Sequence, residues 1–139
     1  MQQRKKQMLS LVVILLCLTM IVPTAAASGN EEDISPQYMV VITFGTSFDI
    51  DNNGRSTCTG KGTVETNYTI DITMELQQKK GNSWETIKTW TDSGRRVNLE
   101  ENWYVDSGYY YRIKLSGVAT NSSGKVIESP ETYSGVQYY

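Results

Sequence analysis

The sequence predicts an all-β chain: one β-sandwich of about seven antiparallel strands following an N-terminal signal peptide. Three observations predict it. Apolar residues recur at every second position through most of residues 37–139, as strands with one buried face require. The alternating runs are separated by short segments of Gly, Asn, Asp and Ser, whose side chains and backbone freedom favour turns. No stretch after residue 27 carries apolar residues at helical spacing. A small barrel is the other closed all-β solution to the same pattern.

The elements follow in chain order. Arg4, Lys5 and Lys6 are followed by an uncharged, mostly apolar run from Met8 to Val22, then Pro23 and Thr24-Ala25-Ala26-Ala27. Basic, apolar and small-residue segments in that order make residues 1–27 a secretory signal peptide, and Ala25 and Ala27 fit an A-x-A cleavage site. An uncleaved anchor is the competing reading, because the uncharged run is just long enough to span a bilayer. Pro23 and the alanines at the cleavage position favour removal, as does the lack of a charged stop-transfer segment directly after them. Cys17 follows Leu16 and precedes more apolar residues, which argues against lipid attachment. The expected location is extracellular, with retention at the cell surface left open. Membrane contact is expected only through an uncleaved signal peptide. Residues 28–36 are polar and charged and read as a flexible linker.

Residues 37–139 hold the strands. Tyr38, Val40, Ile42, Phe44, Phe48 and Ile50 share one parity, with Gly45 as the expected kink or bulge. Arg55 to Val64 carries Cys58, Gly60, Gly62 and Val64 on one side. Tyr68, Ile70, Ile72, Met74 and Leu76 alternate with Thr69, Asp71, Thr73 and Glu75, which puts five apolar side chains on one face of a strand but scatters them around a helix. Trp84 to Thr91 places Trp84 and Trp90 on the same parity. Val97, Leu99, Trp103 and Val105 form a further set, and Tyr109, Tyr111, Ile113 and Leu115 the next, with Arg112 and Lys114 pointing out. Pro130 cannot donate to a ladder, so Val126 to Tyr138 is expected as an edge or bulged strand. Turns are expected at 51–54, 80–83, 92–94, 106–108 and 121–124.

Bulk properties narrow the function classes. Removal of residues 1–27 leaves 112 residues, enough for one domain with a single core. Ten basic against fifteen acidic residues remain, a net charge of −5. Nucleic acid calls for a basic patch, and anionic membranes are an equally poor match. Lys79-Lys80 and Arg95-Arg96 are too short to be basic tracts. The chain has no histidine, which removes Ser-His-Asp and Cys-His nucleophile systems. Cys58 is the only cysteine after the leader, so no intrachain disulfide is available to the mature domain. Burial as a small apolar group is the expected state, with pairing between chains left open.

Two resemblances add to this reading. Val105-Asp106-Ser107-Gly108-Tyr109-Tyr110-Tyr111-Arg112-Ile113 resembles the tyrosine-corner segment of fibronectin type III domains, with Val105, Gly108, Tyr111 and Ile113 on the pattern. It implies that the Tyr111 hydroxyl bonds a backbone group across the corner. An alternative register with Asp106, Gly108 and Tyr110 resembles the immunoglobulin corner, but Arg112 stands where that pattern has cysteine. Tyr111 is preferred because Ile113 and Leu115 continue its parity. More broadly, the mature chain shows Gly54, Cys58 and Gly60, then Leu76-Gln77, then Trp84 and Trp90, and a closing Gly-Tyr-Tyr-Tyr-Arg. This order is similar to a family of small secreted Gram-positive (Firmicutes) proteins of unknown function. That resemblance implies an exported immunoglobulin-like sandwich and brings no activity with it.

Candidate sites compete with plainer readings. Asp49 to Gly54 matches the first half of an EF-hand loop, but loop position twelve is Gly60 instead of a bidentate glutamate. A tight turn is the simpler account. Asp71 and Glu75 share an outward strand face about 13 Å apart, beyond the separation glycosidases use. Glu100 and Glu101 are adjacent and point apart in a strand. No catalytic constellation, cofactor or metal set follows, and an enzyme is not expected. Asn67-Tyr68-Thr69 and Asn121-Ser122-Ser123 match glycosylation sequons, but the bacterial origin that the resemblance implies makes them strand and turn residues. The three tryptophans read as core filling or, alternatively, as a flat binding platform. The expected binding surface comprises Trp103, Tyr104, Tyr110, Tyr138 and Tyr139, with Tyr111, Cys58 and Gly108 structural. The function expected is a secreted, non-enzymatic binding domain for a protein or glycan partner. The alternative is a secreted effector or inhibitor acting on competitor or host proteins.

Overall fold

The computed structural model describes residues 39–139. The expected signal peptide at 1–27 and linker at 28–36 lie outside the described residues, as does Tyr38. Among the described residues there are nine strand segments and no helix: β1 (Val41–Ile50), β2 (Arg55–Val64), β3 (Tyr68–Lys80), β4 (Ser83–Gly94), β5 (Arg96–Tyr104), β6 (Tyr110–Asn121), β7 (Val126–Glu128), β8 (Glu131–Tyr133) and β9 (Gln137–Tyr138). One sheet runs β1-β2-β5. The other runs β4-β3-β6, with β7, β8 and β9 all paired to β6. Every pairing is antiparallel. Constant-type immunoglobulin domains place the fourth strand in the first sheet; here β4 pairs with β3 and widens the second.

β7, β8 and β9 are successive fragments of one seventh strand lying along β6. Pro130 separates the first two fragments, as its missing N–H demands. The Pro130 carbonyl nevertheless accepts the Gly117 N–H at 2.8 Å. At the second break Ser134 takes over: its N–H donates to the Ile113 carbonyl at 2.9 Å, and its Oγ accepts the Ile113 N–H at 2.8 Å. The backbone of β6 thus stays paired across both breaks.

The core forms where the alternation of β2, β3 and β6 meets. Ile70, Ile72, Met74 and Leu76 are buried, and Tyr68 is half-buried against the same cluster. Ile113, Leu115 and Ala119 face them from β6, and Cys58 and Val64 from β2. The sheets approach closely because β2 offers glycine there: a Cβ on Gly60 would sit 2.5 Å from Leu115 Cδ1, and one on Gly62 would overlap Ile72 Cδ1. Tyr111 is fully buried and closes the corner. Its hydroxyl donates to the Asp106 carbonyl at 2.7 Å and accepts from Gln78 Nε2 at 3.0 Å. Gly108 turns the chain into β6 at φ +93°.

Tyr109, expected inward with Tyr111, lies before β6 and is exposed, and two further parities fail at bulges. In β1 the register slips between Val41 and Thr43, so Ile42 is the extra residue and is exposed. Phe44, Phe48 and Ile50 keep the inward parity, but Val41 replaces Ile42 beside Val64. Gly45, the expected bulge, pairs regularly with Lys61. In β4 the slip falls between Thr86 and Lys88, leaving Ile87 unpaired. Trp90 sits opposite buried Met74 and faces inward, whereas Trp84 sits opposite Lys79 and faces out. Their shared parity in the sequence is undone by one inserted residue.

Side chains close both flanks of the sandwich. The Glu128 carboxylate accepts the N–H groups of Met39, Val40 (2.9 Å) and Val41 (3.1 Å). Gln137 accepts the Ile50 N–H at 3.1 Å and donates to the Phe48 carbonyl at 2.6 Å. These contacts tie the outer edge of β1 to the broken seventh strand. On the other flank Lys88 of β4 lies over the Trp103 ring of β5 at 4.5 Å and near Trp90 at 5.9 Å.

Candidate functional site

The outer face of the wider sheet carries the site. β3 and β6 turn Lys79, Tyr110, Arg112 and Lys114 outward, because each alternates with a buried neighbour, and Gln77 shares their parity but is buried beneath the stack. The bulge at Ile87 brings Trp84 to this face, and the pairing of β8 with β6 places Tyr133 opposite Lys114. The Arg112 guanidinium lies 4.3 Å from the Trp84 ring centroid and 4.3 Å from that of Tyr133. Each contact is an attraction between a cation and a ring quadrupole. Beside this stack, Tyr110 and Tyr138 form a tilted pair with centroids 5.0 Å apart. Tyr110 is 50% exposed and Tyr138 63%.

A polar network holds the stack in place. Arg112 Nε donates to Gln77 Oε1 at 2.9 Å. Gln77 Nε2 reaches Thr86 Oγ1 at 3.4 Å, and that hydroxyl donates to Glu75 at 2.9 Å. Lys114 lies 4.0 Å from Glu75 and 3.1 Å from Glu131, which accepts the Tyr133 hydroxyl at 2.7 Å. The contacts thus run from Arg112 across β3 and β4, back to β6 and out to β8. Glu131 is held below the usual carboxylate range by the Tyr133 hydroxyl and then by Lys114. Tyr133 and Lys114 are correspondingly raised, each chiefly by its hydrogen bond to Glu131.

The expected binding residues are not brought together. Tyr110 and Tyr138 share the wider sheet's outer face. Tyr104, 71% exposed, pairs with Arg55 on the outer face of the other sheet. Trp103 pairs with buried Ser56 but stays 40% exposed at the β4–β5 flank, where it meets Lys88 and is remote from Tyr110 and Tyr138. Tyr139 is a packing residue: it is half-buried against the core, and a Cβ on Gly54 (φ +78°) would lie 2.7 Å from its ring. Its backbone carbonyl accepts from Gly108 and Tyr109, and its N–H donates to Tyr109. Tyr109 is partly exposed and meets Tyr111 edge-on at 6.5 Å. The expected surface omitted Arg112 and Tyr133, and Trp84 entered only in the alternative reading of the tryptophans as a platform. The outward parity of Arg112 was readable, but the rings on either side of it come from strands distant in sequence.

The remaining candidates are occupied by structure. Asp51 Oδ1 accepts the N–H groups of Asn53 (2.8 Å) and Arg55 (3.0 Å), which makes 51–54 a side-chain-capped hairpin turn. Asp71 accepts a hydrogen bond from Ser93 on β4. Glu75 belongs to the network above. Cys58 is buried beside Ser56 Oγ at 3.7 Å, and burial pushes its thiol up to about 11, with Glu101 adding to the rise. A thiol so placed is a packing group and a poor nucleophile.

The fold and candidate site together define an all-β sandwich of two antiparallel sheets with a cation–aromatic stack on one open sheet face. No protein-family model matches the chain, and no curated protein matches it.

Proposed function

We propose that the protein is an exported, non-catalytic binding domain that contacts its partner through the outer face of the wider sheet. The observation that carries this reading is the Trp84–Arg112–Tyr133 stack beside the Tyr110–Tyr138 pair. Exposed aromatic and arginine side chains carry much of the affinity at protein surfaces. These are mounted on strands that a buried core makes rigid, so little ordering cost remains to be met on binding. The leader-like residues 1–27 support export, and the acidic net charge argues against nucleic acid as the partner.

The test is retention of the protein on purified cell-wall material, mucin and culture proteins. Tyr110→Ala with Tyr138→Ala should reduce retention at least tenfold with the fold intact by circular dichroism. Tyr104→Ala, on the opposite outer face, should leave it unchanged. Loss through Tyr104→Ala alone would move the binding surface to the narrower sheet and overturn the reading.

A further inference from the structure

We infer that the ligand of this face is an acidic sugar, and that Arg112 is the residue that receives its carboxylate. The inference rests on the binding face proposed above and concerns what that face takes. Arg112 has one protein hydrogen bond, from Nε to Gln77. Its terminal nitrogens make no hydrogen bond or ion pair among the described residues, although no buried side-chain nitrogen or oxygen there lacks a partner. Those nitrogens are therefore not fully buried, on a side chain that is itself half-buried between two rings. With Trp84 on one side, Tyr133 on another and Gln77 fixing Nε, the guanidinium plane is set before any ligand arrives. The remaining free edge matches the two oxygens of a carboxylate.

Charge balance on the face points the same way. Lys114 is paired with Glu131 at 3.1 Å and lies 4.0 Å from Glu75, while the Lys80–Glu85 pair has the opposite strand parity and is off this face. Lys79 and Arg112 have no carboxylate partner among the described residues, and Lys79 lies 5.9 Å from the Trp84 ring. Around the stack three cations, Lys79, Arg112 and Lys114, meet two carboxylates, Glu75 and Glu131, and this local excess of one positive charge on an otherwise acidic chain favours an anionic ligand. A sugar fits better than an acidic peptide for a structural reason. The backbone of β3 and β6 is already paired on both sides, so an extended peptide lying on this face gains no ladder hydrogen bonds. A rigid ring needs none. Tyr110 lies two residues before Arg112 on the same strand face, about 7 Å away, so one sugar ring can rest on the tyrosines while its carboxylate reaches Arg112.

The experiment compares polygalacturonate with its fully methyl-esterified form, using protein expressed from the complete sequence. The two probes share their rings and differ in charge. The expected result is at least tenfold tighter binding of the acid form, a difference that Arg112→Gln abolishes and Arg112→Lys restores only in part. Tyr110→Ala with Tyr138→Ala should weaken both forms. Unfolding midpoints and near-ultraviolet circular dichroism of each variant separate lost recognition from lost structure. Equal binding of the two forms, reduced by the tyrosine substitutions, would overturn the acidic-sugar inference and leave the face standing. So would absence of binding to both probes alongside tyrosine-dependent retention on cell-wall material. Tighter binding of polyglutamate than of polygalacturonate would replace the sugar with an acidic peptide. Binding of the acid form untouched by any of these variants would overturn the inference and the face together.

Discussion

Two cation–aromatic clusters stand in this small domain, and they do different work. Trp90, Lys88 and Trp103 span the seam where β4 of one sheet passes β5 of the other. Trp84, Arg112 and Tyr133 lie within a single sheet, on its solvent face. In the seam the cation is a lysine with a flexible stem lying opposite Leu76, Trp90 is half-buried against the core, and Trp103 covers the lysine from the exposed flank. On the open face the cation is an arginine fixed through Nε, with its terminal nitrogens left free. The same attraction therefore closes a gap between sheets in one place and displays a charge in the other. Position relative to the core, more than residue type, decides which.

The contrast is broken or sharpened first by deleting rings. Trp90→Ala should destabilise the domain by about 2–4 kcal/mol, because the indole is half-buried against the core. Trp84→Ala should cost about 1 kcal/mol, mostly from the lost stack. Urea midpoints measure both, and equal losses would erase the distinction between seam and face.

The next effect tests the frame beneath the open face. Tyr111→Phe removes the donor to Asp106 and leaves buried Gln78 Nε2 without its acceptor, at about 1–2 kcal/mol. Tyr110→Phe, one residue earlier and exposed, should leave the unfolding midpoint unchanged.

A smaller effect is expected from the cation of the seam. Lys88→Met keeps the apolar stem and removes the charge, so stability should change by less than about 1 kcal/mol. A loss above about 2 kcal/mol would show that the charge, and not the stem, holds the flank together.

The smallest effect is the pH dependence of the Glu131 network. The folded-state pKa of Glu131 is lowered, so its contribution is fully present above the ordinary carboxylate value of 4.5 and disappears as pH falls through the lower folded value. Lys114 and Tyr133 are raised, so their contributions hold below their ordinary values of 10.5 and 10.0 and are lost as pH rises through the higher folded ones. Glu131→Gln should flatten both limbs in unfolding curves taken across pH, while Lys88→Met leaves both in place.

Much of the frame was legible because burial imposes a period of two. The run from Ile70 to Leu76 declares its inner face, and the parity of Ile113 and Leu115 selects Tyr111 over Tyr110 as the corner tyrosine. Pro130 declares a broken edge strand because it lacks an N–H. The site was less legible. Nothing in Thr86-Ile87-Lys88 marks a bulge, yet the extra residue there sends Trp84 to the solvent face and leaves Trp90 inside. Alternation says that Tyr104 and Tyr110 both point outward, but the two lie on different sheets. Tyr139 looks like a free aromatic until Gly54 is seen to make room for it.

By itself, then, the sequence determined which faces of the strands are dry, because each strand reports its own burial through its own side chains. It also determined the corner, where glycine and tyrosine stand a short distance apart in the chain. Only the tertiary structure decided which rings meet which cations. Arg112 draws its partners from Trp84, Gln77 and Tyr133, on three other strands, and their meeting depends on strand order, on register and on one unpaired residue at Ile87. Those are properties of pairing between distant segments, and no single segment carries them.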